Sequence, residues 1–327
     1  LIIMFVLVSS IIIVGGLTRL TDSGLSITKW ELFKGFLPPL SNTEWIAYFN
    51  SYKEIPEYNL QNFNMSLEEF KIIFWWEWAH RFLARMVGII FFIPLLYFIF
   101  ILGFKKTKPY IFIFILICIQ GLIGWYMVMS GLINNVDVSH FRLSLHLTTA
   151  FIILTMILWQ ILNLLINFNS KDKKIRFKLP EIFISLIFLQ IIIGAFVSGM
   201  DAGQIYNSWP LMGSSFFPDD NSIVNIFKFS AFSDPSLVQF MHRNLAYIIF
   251  IFFIFMLVKI YRLKLKSLYI AINFVGFFLF VQILLGIFTL LNGAQIYLAS
   301  MHQLSSIFLV SSSVYLLYLN SNQQLSS

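Results

Sequence analysis

The sequence predicts an all-α membrane protein with eight transmembrane helices, arranged as two tandem four-helix bundles. Three observations predict this fold: an apolar composition, long uninterrupted apolar runs and an internal repeat. Of the 327 residues, 59% are hydrophobic and only 11% are charged, and the mean hydropathy is +0.83. A soluble domain is nearer half apolar and a quarter charged, so this composition indicates an integral membrane protein.

The apolar runs are long enough to cross a bilayer, which takes about 20 helical residues. Runs of this length favour helices over a barrel, whose strands alternate in segments of about 10 residues. The predicted spans are residues 1–18, 75–102, 109–131, 143–167, 180–200, 238–261, 268–291 and 298–319. The first run is slightly short, and we expect a few residues to precede Leu1.

Basic residues cluster after the second, fourth and sixth spans. They are Lys105, Lys106 and Lys108; Lys171, Lys173, Lys174, Arg176 and Lys178; and Lys259, Arg262, Lys264 and Lys266. The positive-inside rule places these segments, and therefore both termini, in the cytoplasm of a protein of the cell inner membrane. The net charge of +7 then follows the topology, and we expect no nucleic-acid partner. The single cysteine, Cys118, excludes a disulfide within the chain.

Two long outer segments, residues 19–74 and 201–237, connect the spans on the opposite side. The first contains two capping-box patterns, Ser41-x-x-Glu44 and Ser66-x-x-Glu69. A capping box marks a helix start, and each is followed by a short amphipathic stretch. We therefore expect short helices lying on the outer surface.

The chain repeats itself. An offset of 162 relates His80-Arg81 to His242-Arg243, Gln120 to Gln282 and Gly124 to Gly286; an offset of 179 relates Gly15 to Gly194, Asp22 to Asp201 and Trp30 to Trp209; and an offset of 156 relates His146 to His302. Two four-helix units, residues 1–167 and 180–319, account for these offsets. Because each unit has an even number of spans, both insert in the same orientation, related by an axis along the membrane normal.

Four of the five histidines lie near the outer ends of predicted spans: His80, His146, His242 and His302. Ionisable groups inside a membrane are costly and usually functional. Two histidines on separate helices of a bundle suit axial ligation of a haem iron, whereas a copper or non-haem iron site would want a third histidine or clustered carboxylates. The sequence predicts one haem in each half.

Arginines near the same boundary are candidates for pairing with haem propionates, because guanidinium matches carboxylate geometry. They are Arg81, Arg85, Arg142 and Arg243. The fifth histidine, His140, has no counterpart in the second half, and we expect it in the outer loop.

The two halves differ beside the first histidine. Glu77 lies three residues before His80, and the equivalent position in the second half is Gln239. Residues three apart share a helix face, so Glu77 is the candidate catalytic group, acting as a base or stabilising positive charge on a porphyrin edge. The first half, with His80 and His146, is then the catalytic site on a substrate haem. The second half, with His242 and His302, holds a permanent haem that passes electrons.

Together these segments resemble the haem A synthase family across nearly the whole chain. The matching segments are Gly15–Thr21 with Ser23–Ser26, Glu77–Arg81, Arg142–Leu143 with His146–Leu147, Tyr206–Met212, Gln239–Arg243 and Met301–Gln303. The resemblance implies eight helices, haem b in the C-terminal half, haem O as substrate in the N-terminal half, and Glu77 as essential. The implied reaction converts a ring methyl of haem O to a formyl group through two hydroxylations. Some bacterial members of the family have a pair of cysteines in the first outer loop. This chain lacks that pair and therefore resembles the subfamily without it, which includes the mitochondrial members.

The resemblance also implies partners. Haem A serves haem-copper terminal oxidases, so haem O synthase and cytochrome oxidase assembly factors are expected partners, along with the lipid bilayer, an electron-transfer partner of unknown identity and a homo-oligomer. Two other functions stay open. A di-haem cytochrome b-type electron carrier or quinol oxidoreductase would use the same histidines without changing the haem, and a transporter with a histidine proton relay would bind no haem.

Overall fold

A computed structural model describes residues 1–31, 34–134, 137–166, 175 and 178–322, and within them the side chains of 130, 131, 133 and 134 are not described. The described chain is helical, with one isolated β-bridge between Met212 and Ser215. The prediction of an all-α membrane protein is confirmed, since seven of the described helices are long and apolar enough to span a bilayer.

The membrane helices begin and end within about three residues of the predicted spans, except that the helix of the second span begins eight residues before position 75 and continues through 103–108. The helices of the described chain are α1 (Ile2–Leu20), α2 (Asn42–Tyr52), α3 (Pro56–Leu60), α4 (Leu67–Asn134), α5 (His140–Leu165), α6 (Leu179–Gly199), α7 (Pro235–Arg262), α8 (Tyr269–Leu291) and α9 (Ile296–Ser321). All but α2 and α3 are the candidate membrane helices. Short 3₁₀ turns lie between α6 and α7.

The segment labelled α4, 68 residues long, is two helices that meet at a kink at Gly103, and it covers two predicted spans. Only Gly103 departs from helical geometry, with φ 76° and ψ 163°, a conformation that glycine adopts without steric cost. The expected loop over residues 103–108 is therefore wrong in extent, since the basic residues after Gly103 are helical. Some of the basic residues that predict the orientation lie outside the described residues, namely Lys171, Lys173, Lys174 and Arg176. Position 167, the end of a predicted span, also lies outside them.

The chain divides into two compact units, one of residues Ile2–Ile153 and one from Leu154 onward together with Leu1. In the first unit α1 packs against α4. A cap formed by α2 and α3, called the outer cap after the predicted orientation, covers the start of α4 through an apolar cluster that contains Ile27, Tyr52, Phe70 and Phe74. Aromatic side chains contribute large buried areas, which explains why a mainly polar outer segment is ordered.

The two capping boxes have different outcomes. Ser41 caps α2 reciprocally with Glu44, so the predicted short helix there is confirmed, while its place on the outer membrane surface stays a prediction. Ser66 and Glu69 form the same reciprocal bonds, but the helix that they start is α4 itself. The prediction of a separate surface helix after Ser66 is thus wrong, because the helix of the second predicted span begins about two turns before position 75, at Leu67.

In the second unit α6 packs against α7, and α8 packs against α9. Helix α9 is the most enclosed of the candidate spans, with Val310, Val314 and Leu316 fully buried. Helix α8 instead exposes large apolar side chains such as Phe277 and Phe280. Exposed apolar surface on this scale is typical of lipid-facing helices.

Candidate functional site

The first histidine pair comes together in the first unit. His80 on α4 and His146 on α5 have ring centroids 6.4 Å apart, with ring planes at 70°. The Nδ1 atom of each ring is buried and has no hydrogen-bond partner among the described residues. Burying an unpaired polar atom is costly, so the arrangement favours a ligand that these rings bind.

The spacing of these rings suits a metal held between them. One nitrogen of each ring would hold the metal. Two bonds of about 2 Å, with each nitrogen about 1 Å from its ring centre, would add to about 6 Å between the ring centres. The described residues contain no group of three or more histidine, cysteine or acidic side chains arranged to hold a metal ion. A pair of imidazoles without further ligands fits a haem iron, whose other four ligands come from the porphyrin.

The second pair lies in the second unit. His242 on α7 and His302 on α9 are close enough to interact electrostatically, and both Nδ1 atoms are buried without a hydrogen-bond partner among the described residues. The amide nitrogens of Gln190 and Gln282 lie 3.3 Å from Nε2 of His242 and His302, respectively. The second half thus contains a matched pair of buried imidazoles.

Each of the four rings also lies against a glycine. A Cβ atom placed on the glycine would be 2.7–3.0 Å from Cε1 of the facing ring, for Gly15 with His80, Gly124 with His146, Gly194 with His242 and Gly286 with His302. The repeat relates Gly15 to Gly194 and Gly124 to Gly286, so the sequence had marked these positions without showing their reason. The reason is steric, because only glycine leaves room for the imidazole.

Glu77 is 2% exposed and accepts three hydrogen bonds. Arg81 donates to its Oε1 at 2.6 Å, and the Ser26 hydroxyl and the Ile27 N–H donate to its Oε2, each at 2.7 Å. Charge-assisted bonds of this kind are strong. Three donors therefore fix the position of the carboxylate, about one helical turn before His80.

Gln239 lies at the equivalent place in the second half. Its amide donates to the Tyr206 carbonyl at 3.1 Å, and Tyr206 is the repeat partner of Ile27 at the offset of 179. Both side chains thus contact the same point of an outer loop, but only Glu77 brings a charge.

The two arginines beside the ligand candidates hold these outer loops. Arg81 donates to the carbonyl of Ile27 at 2.8 Å, and Arg243 donates to that of Tyr206 at 2.8 Å. Arg81 also donates to the main-chain carbonyl of Lys29, and Arg243 donates to that of Ser208. Lys29 and Ser208 are again related by the offset of 179. The sequence analysis missed this duplicated loop contact, although the spacing of Trp30 and Trp209 was available as a signal. Neither contact tests the propionate prediction.

The other two predicted arginines lie elsewhere. Arg85 donates to the Glu31 carbonyl at 2.9 Å. Arg142 donates to the Tyr126 hydroxyl at 3.3 Å and lies over the Tyr126 ring, 4.4 Å from its centroid.

The outer cap contains a buried acid that the sequence analysis did not single out. Glu57 is 2% exposed and accepts a hydrogen bond of 3.1 Å from the Tyr52 hydroxyl. Burial raises the pKa of Glu57 from its ordinary 4.5 to about 8, and the charges of Glu77, Asp22 and Asp137 act in the same direction. The carboxyl is thus mostly protonated at neutral pH.

Comparison with known proteins identifies the family. The cytochrome oxidase assembly protein family matches residues 1–314. The chain is 52% identical to the "Heme A synthase" of Pelagibacter ubique over 98% of this chain and 96% of the relative. It is 43% identical to the "Heme A synthase" of Rickettsia bellii, with 94% and 93% covered, and 41% identical to that of Rickettsia felis, with 94% and 92% covered. This chain belongs to the cytochrome oxidase assembly protein family, which includes these haem A synthases.

Proposed function

We propose that this protein is a haem A synthase, which oxidises a ring methyl of haem O to a formyl group. The methyl carbon loses four electrons in total, which an external oxidant must accept, either dioxygen or an electron acceptor that acts with water as the oxygen source. Two successive hydroxylations, each a two-electron oxidation, give a hydrated aldehyde, and loss of water leaves the formyl group of haem A. The observation that carries the proposal is a pair of histidine rings with centroids 6.4 Å apart, with a buried carboxylate three residues before the first histidine, in a chain 52% identical to a "Heme A synthase". Haem A produced in this way supplies terminal oxidases.

The first half is the catalytic site in this proposal. His80 and His146 bind the iron of the substrate haem O, while His242 and His302 bind haem b, which supplies one-electron transfer. The asymmetry between Glu77 and Gln239 supports this division, since the repeat otherwise gives both pockets the same glycine–histidine and arginine–loop contacts.

Glu77 has the proposed chemical role. Three donors hold its carboxylate in place, so it does not need to reorganise as charge develops, which is the condition for effective electrostatic stabilisation. It either accepts a proton released from the oxidised methyl carbon or stabilises positive charge on the porphyrin edge. Arg81 balances its charge and, through Ile27, keeps the outer loop closed against water.

The topology proposed for this function has eight spans. Helix α4 contributes two of them, because it is far longer than the roughly 20 residues of one span and bends at Gly103 within the basic segment. The positive-inside rule then places both termini in the cytoplasm and the haem sites near the outer side of the inner membrane. The duplicated contacts support two copies of one four-helix unit, and Arg81, Arg85, Arg142 and Arg243 remain candidates for propionate contacts.

The experiment compares haems extracted from cells that also express a haem O synthase. We expect haem A with the wild type and haem O, with or without a hydroxylated intermediate, with Glu77→Ala. The matched control is Glu68→Ala, since Glu68 lies on the same helix and pairs with Lys71 on the surface. Undiminished haem A with Glu77→Ala would remove the proposed role of Glu77.

A second measurement tests the pockets themselves. The absorption spectrum of the purified protein should show a low-spin haem b, and replacing His242 or His302 by alanine should abolish it. A spectrum without haem in the wild type would contradict the proposed function and would favour a transporter, whereas haem b without conversion of haem O would favour an electron carrier.

A further inference from the structure

Each buried histidine faces the same two positions of a neighbouring helix, a glycine and the residue four before it. Residues four apart lie on one helix face. The residues four positions before Gly15, Gly124, Gly194 and Gly286 are Ile11, Gln120, Gln190 and Gln282, respectively. Three of the four positions are glutamine, and the exception faces His80.

In the second pocket both glutamines reach the imidazole rings. The Gln190 amide nitrogen donates to the His242 main-chain carbonyl at 3.0 Å and lies 3.3 Å from Nε2 of the same ring. The Gln282 amide nitrogen lies 3.3 Å from Nε2 of His302, and its oxygen accepts a hydrogen bond from Ser305. Each ring is thus held between a glycine and an amide.

The first pocket is constrained less. Ile11 has no side-chain donor or acceptor, and Gln120 donates to the main-chain carbonyl of His146 at 2.9 Å rather than to its ring. Several contacts are common to the two pockets. All four histidines pack against a glycine, Gln120 and Gln190 both donate to a main-chain carbonyl, and the rings of His80 and His302 both hydrogen-bond to the main chain, of Ile11 and Gln282 respectively. The contact of a glutamine amide with the ring itself is what separates the two pockets.

We propose that Gln190 and Gln282 are positioning residues that make the second pocket retain its haem, and that Ile11 lets the first pocket release its haem. This inference rests on the proposed function, in which the first pocket must exchange haem O for haem A while haem b stays bound. A side chain that is already ordered loses less entropy on binding, and affinity differences within one kind of site arise mostly from dissociation rates. The Nδ1 atoms of His242 and His302 are buried without a hydrogen-bond partner among the described residues, so a haem held through Nδ1 would leave the contacts of Gln190 and Gln282 with Nε2 in place.

The test is a reciprocal exchange between repeat positions. Purified holoprotein is mixed with excess apomyoglobin, a strong haem acceptor, and haem transfer is followed by absorbance. A hydrogen bond is worth roughly a factor of 2 to 12 in an equilibrium constant, so we expect Gln190→Ile to lose haem b about tenfold faster. Ile11→Gln should slow the release of haem A from the first pocket.

Gln190→Met separates hydrogen bonding from packing, because methionine has a similar length and no N–H donor. We expect it to lose haem b as quickly as Gln190→Ile does. It should also shift the low-spin electron paramagnetic resonance g values, which report the orientation of the two imidazoles and which a change in overall stability would not move. Gln282→Met provides the same readouts at His302.

Unchanged transfer rates in both methionine variants would overturn the inference. Fast haem release from Gln190→Ile together with a wild-type rate for Gln190→Met would also overturn it, because the loss of packing, rather than of the hydrogen bond, would then explain the faster release. The wild-type spectrum separates these outcomes from failure of the proposed function, because it shows beforehand whether the second pocket holds haem b.

Discussion

Replacing Gly124 by alanine should displace His146 and weaken haem binding in the first pocket. The new Cβ atom would lie 3.0 Å from Cε1 of His146. Carbon atoms in contact normally lie about 3.5–4.0 Å apart, so the ring would have to move by roughly half an ångström. Functional side chains need placement to within about 0.5 Å, which puts this displacement at the limit that a ligand tolerates.

The expected cost follows from overpacking, which is about 1–3 kcal/mol in a well-packed interior. If the cost falls on the bound state, the affinity for the substrate haem decreases by a factor of roughly 5 to 150. The assay measures haem O and haem A per polypeptide after purification from cells that express a haem O synthase, by extraction and chromatography.

Gly121→Ala is the matched control. Gly121 lies on the same helix three residues earlier, and a Cβ atom there meets nothing within 4 Å. Both substitutions bring the same gain in helix propensity, so a difference between them reports the contact with His146. Equal haem contents in the two variants would refute the steric reasoning.

Two further predictions concern the outer cap and the Glu77 loop. Glu57 keeps its proton up to about pH 8 in the folded protein but loses it near pH 4.5 when unfolded, so the folded state binds more protons between these values. The thermal stability should therefore fall as the pH rises from about 4.5 to 8, and Glu57→Gln should flatten that dependence in a melting series; an unchanged slope would contradict the assignment. Ser26→Ala removes a donor 2.7 Å from the Glu77 carboxylate and should lower stability by about 1–3 kcal/mol, measured by thermal unfolding in detergent with Ser10→Ala, on the exposed side of α1, as the control that stays near the wild type.

The sequence was sufficient to place the helices and to find the repeat. Span length and apolar composition are local properties, so seven candidate membrane helices lie where the apolar runs are. The extent of α4 was not predicted, because a lysine-rich segment after Gly103 can equally be a loop or a helix, and packing rather than composition decides between them.

The sequence also selected the histidines and Glu77, because costly groups in an apolar span stand out and the repeat pairs them. It could not determine the distance between His80 and His146, the loop contacts of Arg81, or the amide at His242. These depend on residues separated by about 50 or more positions, such as Ile27 and Glu77, which only the packing of helices brings together. The sequence by itself therefore identified the four candidate histidines, and the tertiary structure alone showed which side chains contact each imidazole ring.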